Sequence, residues 1–499
     1  MTTYVLALDQ GTTASRSLIF DANSNLVSSS KKEFTQYFPQ PGMVEHDANE
    51  IWETQLFTLQ DTLEQAKLKL ADMACIGITN QRETILLWDK TTGEPLHNAI
   101  VWQDKRTTDL MGHLQKSKDI ITSKSGLVAD PYFSAPKLKW LLDNVPGARD
   151  SAAKGNIAAG TMDSWLIYRL SGGKSFITDI TNACRTMLFN IHSCEWDDEL
   201  LDIFEIPKQI LPEVVTSSIP LDRAPVTDEQ TFGAAIPITG IAGDQHAALL
   251  GQSCTEPGMI KNTYGTGCFM LMNTGDTPIP SKNNLLTTIA WQLPDSKPQY
   301  ALEGSIFVGG SVIQWLRDGL GIIKSAAEIN AIAAEDNGGV YFVPAFVGLG
   351  SPHWDAKARG TIIGITRGTT KGHIARAALE SIAFQSVELA EAMRGDMAEL
   401  AGVESNELRA DGGVTASDLF MQIQADLLGT EVKKAHIEET TALGAAYFAG
   451  LSIGIWKDLD EINATWRAGA SYKPKLGEEE KGKLLARWKE ALNRSKEWI

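Results

Sequence analysis

Two glycine-threonine turns set into apolar runs constrain this chain more than any other feature. The first is ALDQGTTASRSLIF, residues 7–20, and the second is NTYGTGCFMLM, residues 262–272. Each reads as a β-hairpin whose turn needs glycine, and either one alone is accounted for by that need. A phosphate-gripping hairpin accounts for them as well. Gly11 lets the backbone approach an anion, the amides and hydroxyls of Thr12 and Thr13 donate to phosphate oxygens, and Asp9 holds a hydrated Mg²⁺. Two such turns, one opening each half of the chain, point to a duplicated domain that clamps phosphates from both sides. The boundary is expected near Gly251, giving domains of 1–250 and 251–499.

Strand and helix patterns around the first turn fix the fold class. YVLALD, SRSLIFD and LVSSSKKEF read as three strands joined by the tight turns QGTT and ANSN. A helix follows, with Ile51, Leu56, Leu59, Leu63 and Leu70 at helical spacing and Asp47 as its cap, and ACIGIT then reads as a buried parallel strand. Three antiparallel strands, a crossover helix and a parallel strand open a ribonuclease-H-like layer, the unit of actin-like ATPases. The expectation is therefore an α/β chain of two duplicated ribonuclease-H-like domains with a nucleotide and substrate cleft between them. Beyond Gly251, ALEGSIFVGGSVIQWLRDGLG, GHIARAALESIAFQSVELAEAM and TALGAAYFAGL read as mainly helical, and LRADGG as a strand running into a glycine turn. The tail GEEEKGKLLARWKEALNRSKEWI is an amphipathic helix of the packing kind.

Charge and composition exclude several classes. With 45 Lys and Arg against 62 Asp and Glu, the net charge of −17 repels a nucleic-acid backbone and an anionic membrane surface. The five cysteines are scattered with no CxxC pair, so neither a disulfide framework nor a zinc site is indicated. No signal sequence opens the chain, and no apolar run approaches the roughly 20 residues that cross a bilayer, so a cytoplasmic location is expected. SGGKS at 171–175 ends like a P-loop, but Tyr168 stands where that motif needs glycine, and a polar loop is the better reading.

Three segments carry residues with chemical potential. GITNQRET puts Arg82 and Glu83 at the end of a buried strand, where they are either a solvated rim or a donor and acceptor for a hydroxylated ligand. In GIAGDQHAALLGQ, Asp244 lies between a strand and a small-residue helix. It either caps that helix or projects into the cleft as the carboxylate that accepts a proton from an attacking hydroxyl. The glycines of ADGGVTAS, with Ser417 behind them, are a turn or a platform for adenine and ribose.

In the order ALDQGTT, GITNQRET, WQDKR, DPYFSAPKLKW, GIAGDQ, NTYGTG, EGSIFVGGSVIQWLRD, GTIIGITRGTTKGHIARAALESIA, DGG and TALGAAYFAGL, the chain resembles the FGGY carbohydrate kinases over nearly its whole length. The resemblance implies an ATP- and Mg²⁺-dependent kinase that phosphorylates glycerol at a terminal hydroxyl. By the same resemblance Asp244 is the catalytic base, and Asp9 and Asp244 serve the metal. Arg82, Glu83, Tyr132, Asp244 and Gln245 are then the polar contacts to the acceptor, and Trp102 and Phe269 the aromatic walls against its carbons. Thr12, Thr13, Ala14 and Arg16 hold the phosphates from the first domain and Thr266 from the second, while Gly310, Gln314, Gly413 and Ser417 line the nucleotide's far end. Ser417 stands where the family often has asparagine.

The resemblance also implies a homodimer or homotetramer. Some bacterial members bind fructose 1,6-bisphosphate through a glycine-rich loop with an arginine before the GIAGDQ strand, and others carry a phosphorylatable histidine there. TDEQTFGAAIPITGIAGDQ has neither, so regulation by that sugar bisphosphate or by the phosphocarrier protein is not expected. A kinase for another small polyol or pentulose, a polyol-gated ATPase and a non-catalytic actin-like assembly protein remain as alternatives.

Overall fold

The computed structural model describes residues 3–398 and 407–499. In the first half, β1 (Tyr4–Gln10), β2 (Ala14–Asp21) and β3 (Leu26–Glu33) form an antiparallel meander. Helix α1 (Ala48–Ala66) crosses back, and β4 (Met73–Asn80) lies parallel to β1. Asp47 caps α1 by accepting from the amides of Asn49 and Glu50. The helix stops earlier than the apolar spacing implied: Lys67 turns left-handed, so Leu70 falls outside it. After a long excursion that includes α2 (Ser134–Asn144), β5 (Ile238–Gly243) joins parallel to β4 and runs directly into α3 (Asp244–Gly251). The sheet order is β5-β4-β1-β2-β3.

The second half repeats this pattern with additions. The strands β6 (Ile260–Tyr264) and β7 (Cys268–Gly275) form the second hairpin, followed by β8 (Leu286–Trp291), β9 (Gln299–Ile306) and α4 (Ser311–Asp318). The long helix α5 (Lys371–Met397) precedes β10 (Glu407–Asp411), which pairs parallel to β6, and α6 (Asp418–Leu428) leads to β11 (Glu431–Ala435), parallel to β10. Helix α7 (Thr440–Ser452), β12 (Ala468–Tyr472) and α8 (Glu478–Ser495) complete it, giving the order β8-β9-β7-β6-β10-β11-β12. In both sheets the first hairpin strand is flanked by an antiparallel meander on one side and by two successive parallel strands on the other, the second sheet adding one further strand at each edge, which is the duplication expected from the two turns.

One reading is corrected. ALEGSIF, taken as the start of a helical stretch, is strand β9, antiparallel to both β7 and β8. Residues 300–306 are all buried, so no polar alternation marks the strand, and Ala, Leu and Glu are individually good helix formers. Burial on both faces of a central strand overrides that local preference.

The two halves meet through small residues. Helix α7, TTALGAAYFAGLS, lies against β4, β5 and α3 of the first half. A Cβ at Gly444 would stand 1.8 Å from the Ala247 carbonyl oxygen, and one at Gly251 would stand 1.9 Å from that of Thr440. Only glycine permits the two helix backbones to approach this closely. The resulting core unites Val5, Ala7, Cys75 and Ala242 with Ala442, Ala446 and Phe448. Trp488, Ala491 and Leu492 of α8 are buried in the second half's core, in keeping with a packing role. Lys174 of the SGGKS loop is exposed and pairs with Asp228 at 2.6 Å. No helix among the described residues is long and apolar enough to cross a membrane.

Candidate active site

The apolar strand β1 delivers Asp9 and Gln10 to the lip of the first turn, where the Gly11 amide closes the hairpin on the Ala14 carbonyl at 3.0 Å. Asp9 stands opposite Arg16 across the hairpin. Burial pushes the Asp9 carboxyl up to about 6; Arg16 works against this, while Glu439 and Asp244 add to it. Arg16 is itself tied to Glu439 of the second half at 2.7 Å. The Thr12 hydroxyl accepts from the Trp102 indole N–H at 2.9 Å, so the turn also sets an aromatic wall.

Because β4 runs parallel to β1 and ends level with it, the segment after Asn80 lies beside the same turn, and the Gln81 amide donates to the Gln10 carbonyl at 2.7 Å. Arg82 and Glu83 follow. They are fully enclosed, so the solvated-rim reading is excluded. Arg82 makes a two-pronged pair with Glu303 of β9, at 2.6 and 2.8 Å, and its Nε stands 3.2 Å from Asp244. Arg185 donates to Glu83 at 2.7 Å and to Glu303 at 3.0 Å. Burial alone would raise Glu303, but Arg185 and Arg82 outweigh it and hold the carboxyl at about 2. Glu83 goes the other way, raised by burial against the pull of Arg82 and Arg185. Two arginines of the first half thus converge on one glutamate of the second.

Above these charges stand three rings. Trp102 packs edge-on to Tyr132 and to Phe269, with centroids 5.7 and 5.9 Å apart. Lys137 of α2 fixes the Tyr132 loop from below, its buried ammonium donating to the carbonyls of Pro131, Tyr132 and Phe133 at 2.5, 2.6 and 3.0 Å.

Gly243, rather than Asp244, occupies the cap position of α3. Asp244 is the first helical residue, its carboxylate partly open, with one oxygen accepting from the Gln245 amide at 2.7 Å. Gln245 is held in turn by Lys261 of β6, which also donates to the Thr263 hydroxyl at 3.0 Å. Burial pulls Lys261 down to about 8, with Asp411 and Asp244 acting against it. The second turn is anchored from behind. Gly309 and Ser311, at the start of α4, donate to the Thr266 carbonyl at 2.8 and 2.9 Å, which leaves the Thr266 side chain facing solvent.

These groups enclose a cavity of about 270 Å³. Arg82, Glu83, Trp102, Tyr132, Asp244, Gln245 and Phe269 all line it, together with Thr12, Thr13 and Thr266 of the two turns. Trp102 and Tyr132 also border a wider groove of about 940 Å³ whose rim includes Phe38, Phe307 and Val347. Behind the first hairpin, Arg16 and Gly413 share a second cavity of about 210 Å³ with Asp411, Lys434 and Glu439. Four of the expected nucleotide residues line neither small cavity. Ala14 is buried in β2, Gly310 sits at the cap position of α4, and Gln314 is exposed on that helix. Ser417 is buried and caps α6, accepting from the Phe420 amide at 3.1 Å, and its hydroxyl is also bonded to Asn330.

Sequence reading missed Glu303, Arg185, Lys261 and Lys137. Glu303, Arg185 and Lys261 are each the one charge in ALEGSIF, NACRTML and MIKNTYG, and Lys137 shares APKLKW with a second lysine. That is the signal that would have exposed them, since a charge is buried only when it has partners.

The arrangement combines a cleft-facing carboxylate, fixed donors around a small cavity, aromatic walls and a glycine-threonine turn from each half. It is suited to moving a phosphoryl group onto a hydroxyl. Comparison with known proteins gives the same class. Residues 4–251 match the N-terminal domain, and 260–453 the C-terminal domain, of the FGGY family of carbohydrate kinases. The chain is 57% identical over 498 residues to a glycerol kinase of Deinococcus radiodurans, covering 99% of this chain and 98% of that one. It is 55% identical over 499 residues to a glycerol kinase of Burkholderia ambifaria, with the same coverage. Among solved structures it is similar to Plasmodium falciparum glycerol kinase with ADP, at a TM-score of 0.90 and 36% identity over 99% of this chain and 98% of that one. A Lactobacillus acidophilus xylulose kinase shares the fold at a TM-score of 0.85 and 24% identity, again over 99% and 98%. The chain belongs to the FGGY family of carbohydrate kinases.

Proposed function

We propose that this chain transfers the γ-phosphoryl group of ATP to a terminal hydroxyl of glycerol, giving sn-glycerol 3-phosphate and ADP. The observation that carries the reading is the placement of Asp244. Its carboxylate lines a cavity of about 270 Å³, 3.2 Å from the Arg82 Nε, between the two glycine-threonine turns. Relatives more than half identical over the full length bear the name of that activity.

Each residue then has a part. Arg82 and Glu83, locked by Glu303 and Arg185, and Gln245 hold the hydroxyls. Trp102 and Phe269 pack on the short carbon skeleton, and Tyr132, which lines the same cavity, is a further polar contact to the acceptor. Asp244 accepts the proton of the attacking hydroxyl as the phosphoryl group departs. Positioning contributes more than basicity, because the transition state of such transfers is loose. Thr12, Thr13 and Arg16 from the first half, and Thr266 from the second, grip the phosphates, with Gly413 farther along the nucleotide. Of the remaining nucleotide candidates, Gln314 is available through its exposed side chain, whereas the Gly310 amide is given to the Gly265 carbonyl and the Ala14 carbonyl accepts the Gly11 amide, so both shape the turns. The Ser417 hydroxyl is already engaged, so its part is to support α6 rather than to touch the base.

The donor set fits Mg²⁺. Among the described residues no cluster of three metal-ligating side chains exists, and Mg²⁺ characteristically takes one or two carboxylates and completes its shell with phosphate and water. Asp9, pushed up to about 6 with Asp244 contributing, is the kind of carboxylate that a cation would restore to its ionised form. Asp9 and Asp244 would hold the ion, which supplies charge neutralisation on the phosphates. Gly251 divides the chain into a substrate-and-phosphate half and a nucleotide half. The protein is further proposed to work in the cytoplasm as a homodimer or homotetramer, without control by fructose 1,6-bisphosphate or a phosphocarrier protein.

A coupled ADP assay tests the reading, with glycerol, dihydroxyacetone, erythritol, xylulose and no acceptor. Glycerol should give the highest kcat/KM, and the acceptor-free rate should be negligible. A clear preference for xylulose, or a rate independent of acceptor, would overturn it.

A further inference from the structure

Lys261 is fully buried on β6, and its ammonium donates to two neutral oxygens. One is the side-chain amide oxygen of Gln245, in the first half of the chain; the other is the hydroxyl of Thr263, two residues along its own strand, at 3.0 Å. An ammonium has three donors and no acceptor. The orientation of the Gln245 amide is therefore dictated chemically rather than by choice of flip: its oxygen must face Lys261, and its NH₂ is the end left for the cavity that Gln245 lines.

We infer that Lys261 is a positioning residue that fixes Gln245 as a hydrogen-bond donor to the acceptor substrate, so that the substrate atom facing Gln245 must carry a lone pair, as a hydroxyl or carbonyl oxygen does and an ammonium does not. The inference rests on reading the cavity as the polyol site. It adds a rule of selectivity that the paired charges at the cavity floor do not supply. A glutamine free to rotate would present its oxygen to an ammonium and accept it. Held by Lys261, it meets an ammonium with its own N–H groups, and donor against donor in an enclosed site is strongly unfavourable.

The test compares kcat/KM for glycerol with that for 3-amino-1,2-propanediol and 2-amino-1,3-propanediol, both protonated at neutral pH. The comparison is made in the wild type, Lys261→Met, Lys261→Arg and Gln245→Glu. Gln245→Glu keeps an oxygen for Lys261 and replaces the NH₂ with a second oxygen. It should raise the amine-to-glycerol ratio for at least one amine by about tenfold or more. Lys261→Met should move the ratio the same way by a smaller factor, and Lys261→Arg, which keeps a donor, should hold it near the wild-type value. An unchanged ratio in Gln245→Glu overturns the inference, as does a Lys261→Met enzyme whose melting temperature falls while its ratio stays fixed. Should Lys261→Met not fold, Lys261→Gln takes its place, since a neutral amide there can face Gln245 with either end and leaves its flip unfixed. Wild-type turnover of glycerol reports separately on the proposed activity. Should another polyol be preferred, the ratio is taken with that polyol and its amino analogue, and calorimetric binding of each pair reads it without turnover.

Discussion

At the acceptor end of the cleft, Arg82 and Arg185 share Glu303 within 3.0 Å and Glu303 is held at about 2, whereas at the nucleotide end burial leaves Asp9 raised to about 6 with Glu439 and Asp244 pushing it further. The first arrangement pairs its arginines with carboxylates that the protein itself supplies. On the proposed reading, the second is completed by a cation and phosphates. The difference follows from the ligands. A neutral polyol brings no charge, so the groups that orient it must be balanced by one another, and their rigidity then serves specificity. A nucleotide brings four negative charges and a metal, so a site balanced beforehand would have to be broken to receive it.

The largest effect expected at the junction of the two ends is on Asp244. Asp244→Asn should lower kcat by about 10²–10⁴-fold while glycerol affinity changes only a few-fold, because an amide keeps the shape but accepts no proton. Steady-state kinetics beside calorimetric glycerol binding checks this, and an undiminished kcat would remove Asp244 from the chemistry.

Next in size is Glu303→Gln. Removing one carboxylate from the buried lattice leaves two arginines short of a partner and should destabilise the fold by about 3–5 kcal/mol in chemical denaturation, with a raised KM for glycerol. The sign with pH is fixed by direction. Glu303 lies below its unfolded value of 4.5, so its contribution is fully present above about 4.5 and is lost as pH falls through about 2. The gap between wild type and variant should be level from neutral pH to about 5 and should narrow below that. A gap that stays constant into strong acid would show that the charge is not what holds the lattice.

Asp9→Asn should have the opposite sign. The Asp9 carboxyl lies above its ordinary value of 3.8, so its contribution is present below about 3.8 and is lost as pH rises through about 6. The variant should therefore be more stable than the wild type at pH 8, by about 3 kcal/mol, and equal to it near pH 4. It should also gain less melting temperature from Mg²⁺ and ATP. A loss of stability on Asp9→Asn at pH 8 would contradict the contrast between the two ends. Smallest is Glu439→Gln. The Arg16–Glu439 pair is more than a third exposed on each side, so its removal should change stability by no more than about 0.5 kcal/mol and act mainly on the KM for ATP.

Much of this was legible in the residues. Both hairpins, the crossover helix and its Asp47 cap, and the strand-end places of Arg82 and Asp244 follow from local pattern, because turns and strand ends announce themselves in glycine, threonine and apolar runs, whereas Trp102 and Phe269 come only from the family resemblance. What stayed hidden is what depends on partners distant in sequence. Glu303 meets Arg82 across 221 positions and looks helical in ALEGSIF, and Lys261 reads as one lysine among many until Gln245 is placed against it. Ser417 shows the converse. Its place after a glycine pair suits a ligand platform, yet its hydroxyl serves the helix that begins at Asp418.

The most direct test of the whole account follows phosphorus. With MgATP and glycerol, ³¹P NMR should show a phosphate monoester rising in step with ADP while inorganic phosphate stays at background. Inorganic phosphate rising in step with ADP, whether or not glycerol is present, would contradict it.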